Sequence, residues 1–185
     1  MAAKHGQGNI VKLLLGHPGI KVNLQDSGGR TALGCAAREG HVNVVKALLN
    51  YKGVQVNRAT NSGTPISSAA YHGHADVVEL LLKRTRAKFI NKADSNGDYP
   101  LTTAAMNGHE RVVEVLLQHP DIDLGKRDVR AGRTALEWAE EKGYEKLIKM
   151  LEDKMSSNKM IKMLEEKMSS NNKMIKMLED KLSFN

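Results

Sequence analysis

Three apolar blocks, Val44-Val45-Ala47-Leu48-Leu49, Val77-Val78-Leu80-Leu81-Leu82 and Val112-Val113-Val115-Leu116-Leu117, fall at helical spacing between polar, glycine-bearing stretches. Each predicts a helix whose apolar stripe is too broad for one partner helix to cover. Ahead of each lies a shorter segment carrying a pair of small residues, Ala36-Ala37, Ala69-Ala70 and Ala104-Ala105. Such pairs suit helices whose backbones approach closely, where larger side chains have no room. The pattern therefore predicts pairs of short helices that need neighbouring pairs to complete their burial.

The glycines give the period. Gly6, Gly40, Gly73, Gly108 and Gly143 recur at intervals of 34, 33, 35 and 35 residues, a period that means a stacked repeat rather than one central core. Each unit opens on turn-formers: Asp26-Ser27-Gly28-Gly29, Asn61-Ser62-Gly63, Asp94-Ser95-Asn96-Gly97 and Asp128 through Gly132. Helix starts follow at Thr31-Ala32-Leu33, Thr64-Pro65-Ile66, Tyr99-Pro100-Leu101 and Thr134-Ala135-Leu136. A Thr hydroxyl accepts from an orphan helix N–H, and Pro at the first helical position sacrifices no hydrogen bond. Tyr99 departs from this, so its helix is expected to start less securely unless Asp98 caps it. The glycine then stops the first helix in a left-handed conformation, and His41, His74 or His109 leads into the second. Val22-Asn23, Val54-Gln55-Val56-Asn57 and Phe89-Ile90-Asn91 read as short extended returns to the next turn.

This turn–helix–helix script, with Thr64-Pro65-Ile66-Ser67-Ser68-Ala69-Ala70 and Gly73-His74 in register, closely resembles the ankyrin repeat. The resemblance covers residues 2 to about 152: three complete repeats between a truncated first and a modified fifth. It implies an all-α solenoid of helix-turn-helix pairs with projecting β-turns, and a module that binds partner proteins. The His that the family carries after Thr-Pro-Leu is replaced by Gly34, Ser67, Thr102 and Glu137, which questions the hydrogen bonding there but not the fold. The resemblance further implies that partners are met by the turn tips and by the two positions before each inner-helix glycine. The latter are Lys4 and His5, Arg38 and Glu39, Tyr71 and His72, Met106 and Asn107, and Glu141 and Lys142. Turn-tip candidates are Arg30, Asn61, Asn96, Asp98, Arg130 and Arg133. The face runs from mixed charge through an amphipathic centre at Tyr71 and Met106 and back to mixed charge, as in a hot spot with a polar rim. Trp138 is expected to pack within the last repeat.

The ends differ. The fifth repeat has Glu140 in place of the second Ala and Glu152 in place of Leu15, Leu49, Leu82 and Leu117, as expected of a polar C-terminal cap. At the other end Ala2-Ala3 align with Ala36-Ala37, so the chain reads as starting mid-repeat, as a piece of a longer array with an underprotected inner surface.

Beyond the stack, residues 153–185 form a separate tail. A unit beginning at Lys146 is copied from Lys159 and from Lys173, at spacings of 13 and 14 residues. From Ile161 a heptad reading places Ile161, Met168, Ile175 and Leu182 at a and Leu164 and Leu178 at d, with Asn171 and Asn185 at the other d positions. One reading is a continuous helix forming a short coiled coil, which makes the chain an oligomeric scaffold assembled through its Met-rich tail. The other is a set of ~10-residue helices folded over the open end of the stack, broken at Ser169-Ser170-Asn171-Asn172.

Composition narrows the chemistry. The 185 residues are 41% hydrophobic but only 4% aromatic, so the core must be aliphatic and alanine-rich. A single cysteine, Cys35, excludes an internal disulfide and favours a reducing intracellular compartment, cytoplasmic or nuclear. No stretch approaches the ~18 apolar residues of a membrane span. The net charge of +7 is spread out, with nine Lys against six acids in the last 40 residues. Its densest basic run, Lys83, Arg84, Arg86, Lys88 and Lys92, comes with no aromatic platform, so nucleic acid is not an expected partner. His41, His74 and His109 repeat in register and read as structural hydrogen bonders rather than metal ligands. Cys35 beside the Ala pair reads as a buried, inert thiol. Neither a phosphate-binding glycine loop nor a nucleophile with its base is present. The expectation is therefore a non-enzymatic binder with no cofactor and no metal.

Overall fold

The computed structural model describes residues 1–59, 63–85 and 87–182, with side chains for all of these but 87, 88 and 177–182. Asn61, one of the candidate turn tips, lies outside the described residues, as do the side chains of Leu178 and Leu182. The described elements are α1 (Gly8–Leu15), α2 (Ala32–Arg38), α3 (Val42–Leu49), α4 (Pro65–Tyr71), α5 (Ala75–Leu82), α6 (Ala87–Ile90), α7 (Pro100–Met106), α8 (Glu110–Leu117), α9 (Ala135–Lys142) and α10 (Glu145–Leu182). No β-strand occurs among the described residues. The fold is all-α, as the repeat implies. Helices α2, α4, α7 and α9 stack in order as an inner layer, and α1, α3, α5, α8 and the start of α10 form an outer layer behind it. Between the layers the Ala pairs and the Val and Leu stripes are buried, with Ala36, Ala37, Ala69, Ala70, Ala104 and Ala105 fully enclosed.

The inner helices begin where the Thr residues predict. Thr31 Oγ1 accepts from Gly34 N at 3.1 Å and Thr64 Oγ1 from Ser67 N at 3.4 Å. Thr134 Oγ1 accepts from Glu137 N at 3.2 Å, while Glu137 Oε2 accepts from Thr134 N at 2.8 Å, a reciprocal capping box. The expectation for α7 needs correction, because Asp98 does not cap it. Instead Thr102 Oγ1 accepts from Tyr99 N at 3.0 Å and donates to Tyr99 O at 2.9 Å. Three of the four residues that replace the family's His, Ser67, Thr102 and Glu137, therefore hydrogen-bond within their own helix start, Ser67 through its hydroxyl to that of Thr64 at 2.9 Å. Only Gly34 leaves that place empty.

A second contact sets the distance between repeats. His41 Nε2 meets Lys4 O, His74 Nε2 meets Arg38 O and His109 Nε2 meets Tyr71 O, each at 2.9 Å. Every one of these imidazoles lies over the glycine of the preceding repeat. A methyl group on Gly40 would sit 2.5 Å from His74, and on Gly73 2.9 Å from His109. The helix-stop glycine is thus needed twice: its φ of +73° at Gly40 suits a residue with no Cβ, and the next imidazole occupies the space a Cβ would take. In the fifth repeat Tyr144 takes the histidine's place and packs over Gly108, whereas a methyl on Gly143 would meet nothing within 4 Å.

The connections between repeats are turns rather than extended segments, and Phe89-Ile90 belongs to helix α6. These stretches pair with the next repeat through a recurring asparagine. Asn23 Nδ2 donates to Gly53 O at 2.8 Å and its Oδ1 accepts from Gln55 N at 2.8 Å. Asn91 repeats both bonds with Asp121 O and Asp123 N. Asn57 occupies the equivalent position, but its Oδ1 is buried without a partner.

The two ends of the stack are unlike. In the fifth repeat Ala139, Leu147 and Leu151 are buried while Glu140 and Glu152 stay exposed. At the first repeat Ala3 and Val11 are buried, but Ile10, Leu13 and Leu14 are exposed, and a groove of about 330 Å³ opens beside Ala3, Val11, Leu15, Val22 and Cys35. Between the two readings of the tail, the structure takes the continuous helix: α10 runs unbroken from Glu145 to Leu182. Ser157 and Ser170 hydroxyls donate to the carbonyls of Asp153 and Glu166 four residues back, so these side chains bond within the helix rather than capping a break in it.

Two outcomes follow from the histidine–glycine contact. Gly143→Ala carries only the left-handed backbone penalty of roughly 1–2 kcal/mol. Gly40→Ala adds the clash with His74, so its urea midpoint should fall distinctly further; equal losses would show that the imidazole yields freely. Burial, the largest influence, holds the His74 imidazole below its ordinary pKa of 6.5, against the raising effect of its bond to Arg38 O. Folding therefore favours neutral His74, so its contribution is complete above about pH 6.5 and is lost as pH falls through the lower folded-state value. The thermal midpoint should drop between pH 7.5 and pH 5, and His74→Gln, which keeps an N–H donor but does not titrate, should flatten that drop. An unchanged pH profile in the variant would assign the loss to other groups.

Candidate functional site

Three of the turn tips are built around an aspartate. Asp26 Oδ1 accepts from Gly28 N and Arg30 N, and Asp94 Oδ1 from Asn96 N and Asp98 N, all within 2.8–3.0 Å. Asp128 accepts from Ala131 N at 2.7 Å and Arg133 N at 3.1 Å, and from Trp138 Nε1 at 2.8 Å. Burial pushes the Asp128 carboxyl up, but these bonds outweigh burial and hold it below the ordinary carboxylate value. At Asp26 the backbone bond from Arg30 is the largest influence and likewise holds the carboxyl low. These aspartates shape the tips from within, a role their place in the turn clusters signals only as turn propensity.

Among the candidate contact residues, many charges are already paired. Arg30 lies 3.3 Å from Asp26, and Arg38 4.0 Å from Glu39. Asp98 is only 7% exposed, and its carboxylate pairs at 3.6 Å with Arg130 from the next turn. Burial raises the Asp98 pKa, with Arg130 pulling the other way. Arg133 pairs with Glu141 and stacks 4.9 Å over the Trp138 ring, which Lys142 approaches at 5.7 Å. Arg133, Glu141 and Lys142 are thus drawn into one cluster around Trp138, which packs within its own repeat as expected. Asn96 is exposed at its tip, apart from the others.

The centre of the face is different. Tyr71 is 51% exposed, and its ring meets the His72 imidazole at 4.9 Å in a tilted arrangement. His72 Nδ1 is held by Ser68 O at 3.0 Å, and in the next repeat Asn107 Nδ2 donates to Thr103 O at 2.8 Å. Met106 is half-buried beside it. Tyr71 O receives the bond from His109 Nε2, so its backbone is clamped from the next repeat while the phenol projects outward. These side chains sit on adjacent inner helices, α4 and α7, whose opposite faces are fully buried.

The remaining chemistry is sparse. The Cys35 thiol is buried and its pKa is raised, first by burial and then by the nearby Asp26 carboxylate, 3.8 Å from Sγ. This disfavours the thiolate that nucleophilic chemistry requires. His72 and His74 stack with centroids 6.2 Å apart, but among the described residues no group of three or more His, Cys, Asp or Glu is placed to hold a metal ion. In the basic run Arg84 donates to Leu49 O at 2.5 Å and Lys83 pairs with Glu79 at 3.0 Å. No helix among the described residues is long and apolar enough to cross a membrane.

No curated protein matches the chain. A family model described as ankyrin repeats in three copies matches residues 1–94 and 86–163, which takes in all five glycines and the stacked helix pairs. With that match covering its stacked and clamped helix pairs, the chain belongs to the ankyrin-repeat family.

Proposed function

We propose that this ankyrin stack is a non-enzymatic module that binds a partner protein through its concave face, centred on Tyr71, His72, Met106 and Asn107. Ankyrin repeats are generally protein–protein interaction modules. The observation that carries the assignment to this patch is the exposed Tyr71 ring on a backbone clamped by His109. A rigid aromatic loses little conformational entropy on binding, and Tyr is enriched among interface anchors. Most of the surrounding charges are neutralised within the turns and α9, so they form a rim that excludes water more than a source of affinity. Arg30, Arg38, Glu39, Asn96, Arg130, Arg133, Glu141 and Lys142 make up that rim. The lone reduced cysteine supports an intracellular setting, cytoplasmic or nuclear. A second reading, an oligomeric scaffold joined through the Met-rich tail of residues 153–185, is favoured by the apolar side chains exposed along α10.

Affinity capture with the intact chain against the Tyr71→Ala/Met106→Ala double variant tests the face. Loss of anchor residues of this kind costs about 2 kcal/mol or more, so specific partners should drop out of the variant's capture while its melting curve stays close to that of the parent. Equal recovery of all partners by both proteins would discard this face.

A further inference from the structure

The three tail units are near-copies in sequence but not in environment. Leu147 and Leu151 of the first unit are 0% and 1% exposed against the stack. Their counterparts thirteen residues on, Met160 and Leu164, are 61% and 55% exposed. The helical repeat explains part of this: thirteen residues leave about 220° of rotation, turning the second unit's apolar side away from the face that docks on the stack. Fourteen residues leave about 320°, only about 40° short of full turns, so the second and third units share one stripe. Met160, Ile161, Leu164, Met168, Met174 and Ile175 line it, each more than half exposed.

We propose that α10 pairs in parallel and in register with α10 of a second copy of this chain, along the seam Ile161, Leu164, Met168 and Ile175. This rests on the scaffold reading above and goes beyond it by naming the occupant, its direction and its register. A stripe that drifts by about 40° over two heptads stays in contact only with a helix that drifts equally, as in a left-handed coiled coil. A flat surface meets it at one end alone. Asn171 at a d position chooses the partner and the direction. In-register parallel pairing sets Asn171 against Asn171 of the second copy, where the two amides can bond each other. An antiparallel pairing centred on the same stripe sets it against Met168, leaving the amide unpaired. In parallel pairing Lys167 at g faces Asn172 at e of the second copy and Glu165 at e faces Met160 at g, so no like charges meet along the seam. The exposed apolar surface of these six side chains is on the order of 600 Å² per chain, somewhat below the ~800 Å² per partner of a standard stable interface. The dimer is accordingly weak, assembling at micromolar concentrations. Because the first unit is occupied by the stack, the shift from 13 to 14 residues puts no strain on the seam.

Sedimentation equilibrium of the full chain from about 1 to 200 µM should show mass rising from 20.4 kDa toward twice that value. Leu164→Glu should return it to monomer with its helix content and melting unchanged. Asn171→Leu should tighten association about tenfold, as removal of a buried amide from a seam does. Leu164→Cys in a Cys35→Ser background should form an intermolecular disulfide on mild oxidation, since in-register parallel pairing sets that position against itself whereas antiparallel pairing centred on the seam sets it against Ile175. A monomer throughout the range overturns the proposal and the scaffold reading with it. Dimers that survive Leu164→Glu, or that form without the Leu164→Cys crosslink, overturn the in-register seam and leave the scaffold reading standing.

Discussion

The contact between each histidine and the glycine of the repeat before it is the constraint on which the rest of the structure depends. A stack of two-helix units has no central core to hold it, so its stability is the sum of its unit-to-unit interfaces. The alanine pairs let the inner helices approach, and the glycine lets the neighbouring imidazole lie flat against a helix terminus. The histidine then bonds a carbonyl that the helix end would otherwise leave unsatisfied. One small residue and one ring therefore set both spacing and register. The asparagines of the connecting turns, Asn23 and Asn91, repeat the same logic at the other end of each unit by bonding the backbone of the next turn.

This clamping shapes the proposed partner-binding surface. The carbonyls taken by His74 and His109 belong to Arg38 and Tyr71, two of the proposed contact residues. The bonds that join repeats thus also hold the contact residues in place. Around them the charged residues pair with each other across turns, as Asp98 does with Arg130 and Glu141 with Arg133. The exposed Arg133–Glu141 pair adds little stability, but together these pairs leave a surface with few uncompensated charges beside an aromatic centre.

Helix α10 links two environments through one continuous backbone. Its first two turns complete the outer layer, burying Leu147 and Leu151, and the following turns leave the stack altogether. A single-residue difference in the spacing of near-identical units changes which side of the helix carries the apolar residues. The same side-chain chemistry therefore closes a solenoid in one unit and remains open to solvent in the next.

Much of the architecture was legible in the chain itself. The glycine period, the Thr helix starts, the alanine pairs and the glutamates of the fifth repeat are local signals, each governed by backbone conformation or by helical periodicity. The structural role of His41, His74 and His109 was legible too, because residues repeating in register share one environment. What local signals do not encode is which atoms meet across thirty or more residues. Only the tertiary structure showed that the helix-stop glycines are packed under the next histidine, that Thr102 rather than Asp98 secures α7, and that Asp98 is enclosed and paired with Arg130. It also decided between a continuous and a broken tail. Helix α10 passes through a segment whose residue preferences argue equally for a break, its serine hydroxyls bonding carbonyls four residues back rather than capping a new helix, and that outcome depends on helical context, which no residue carries alone.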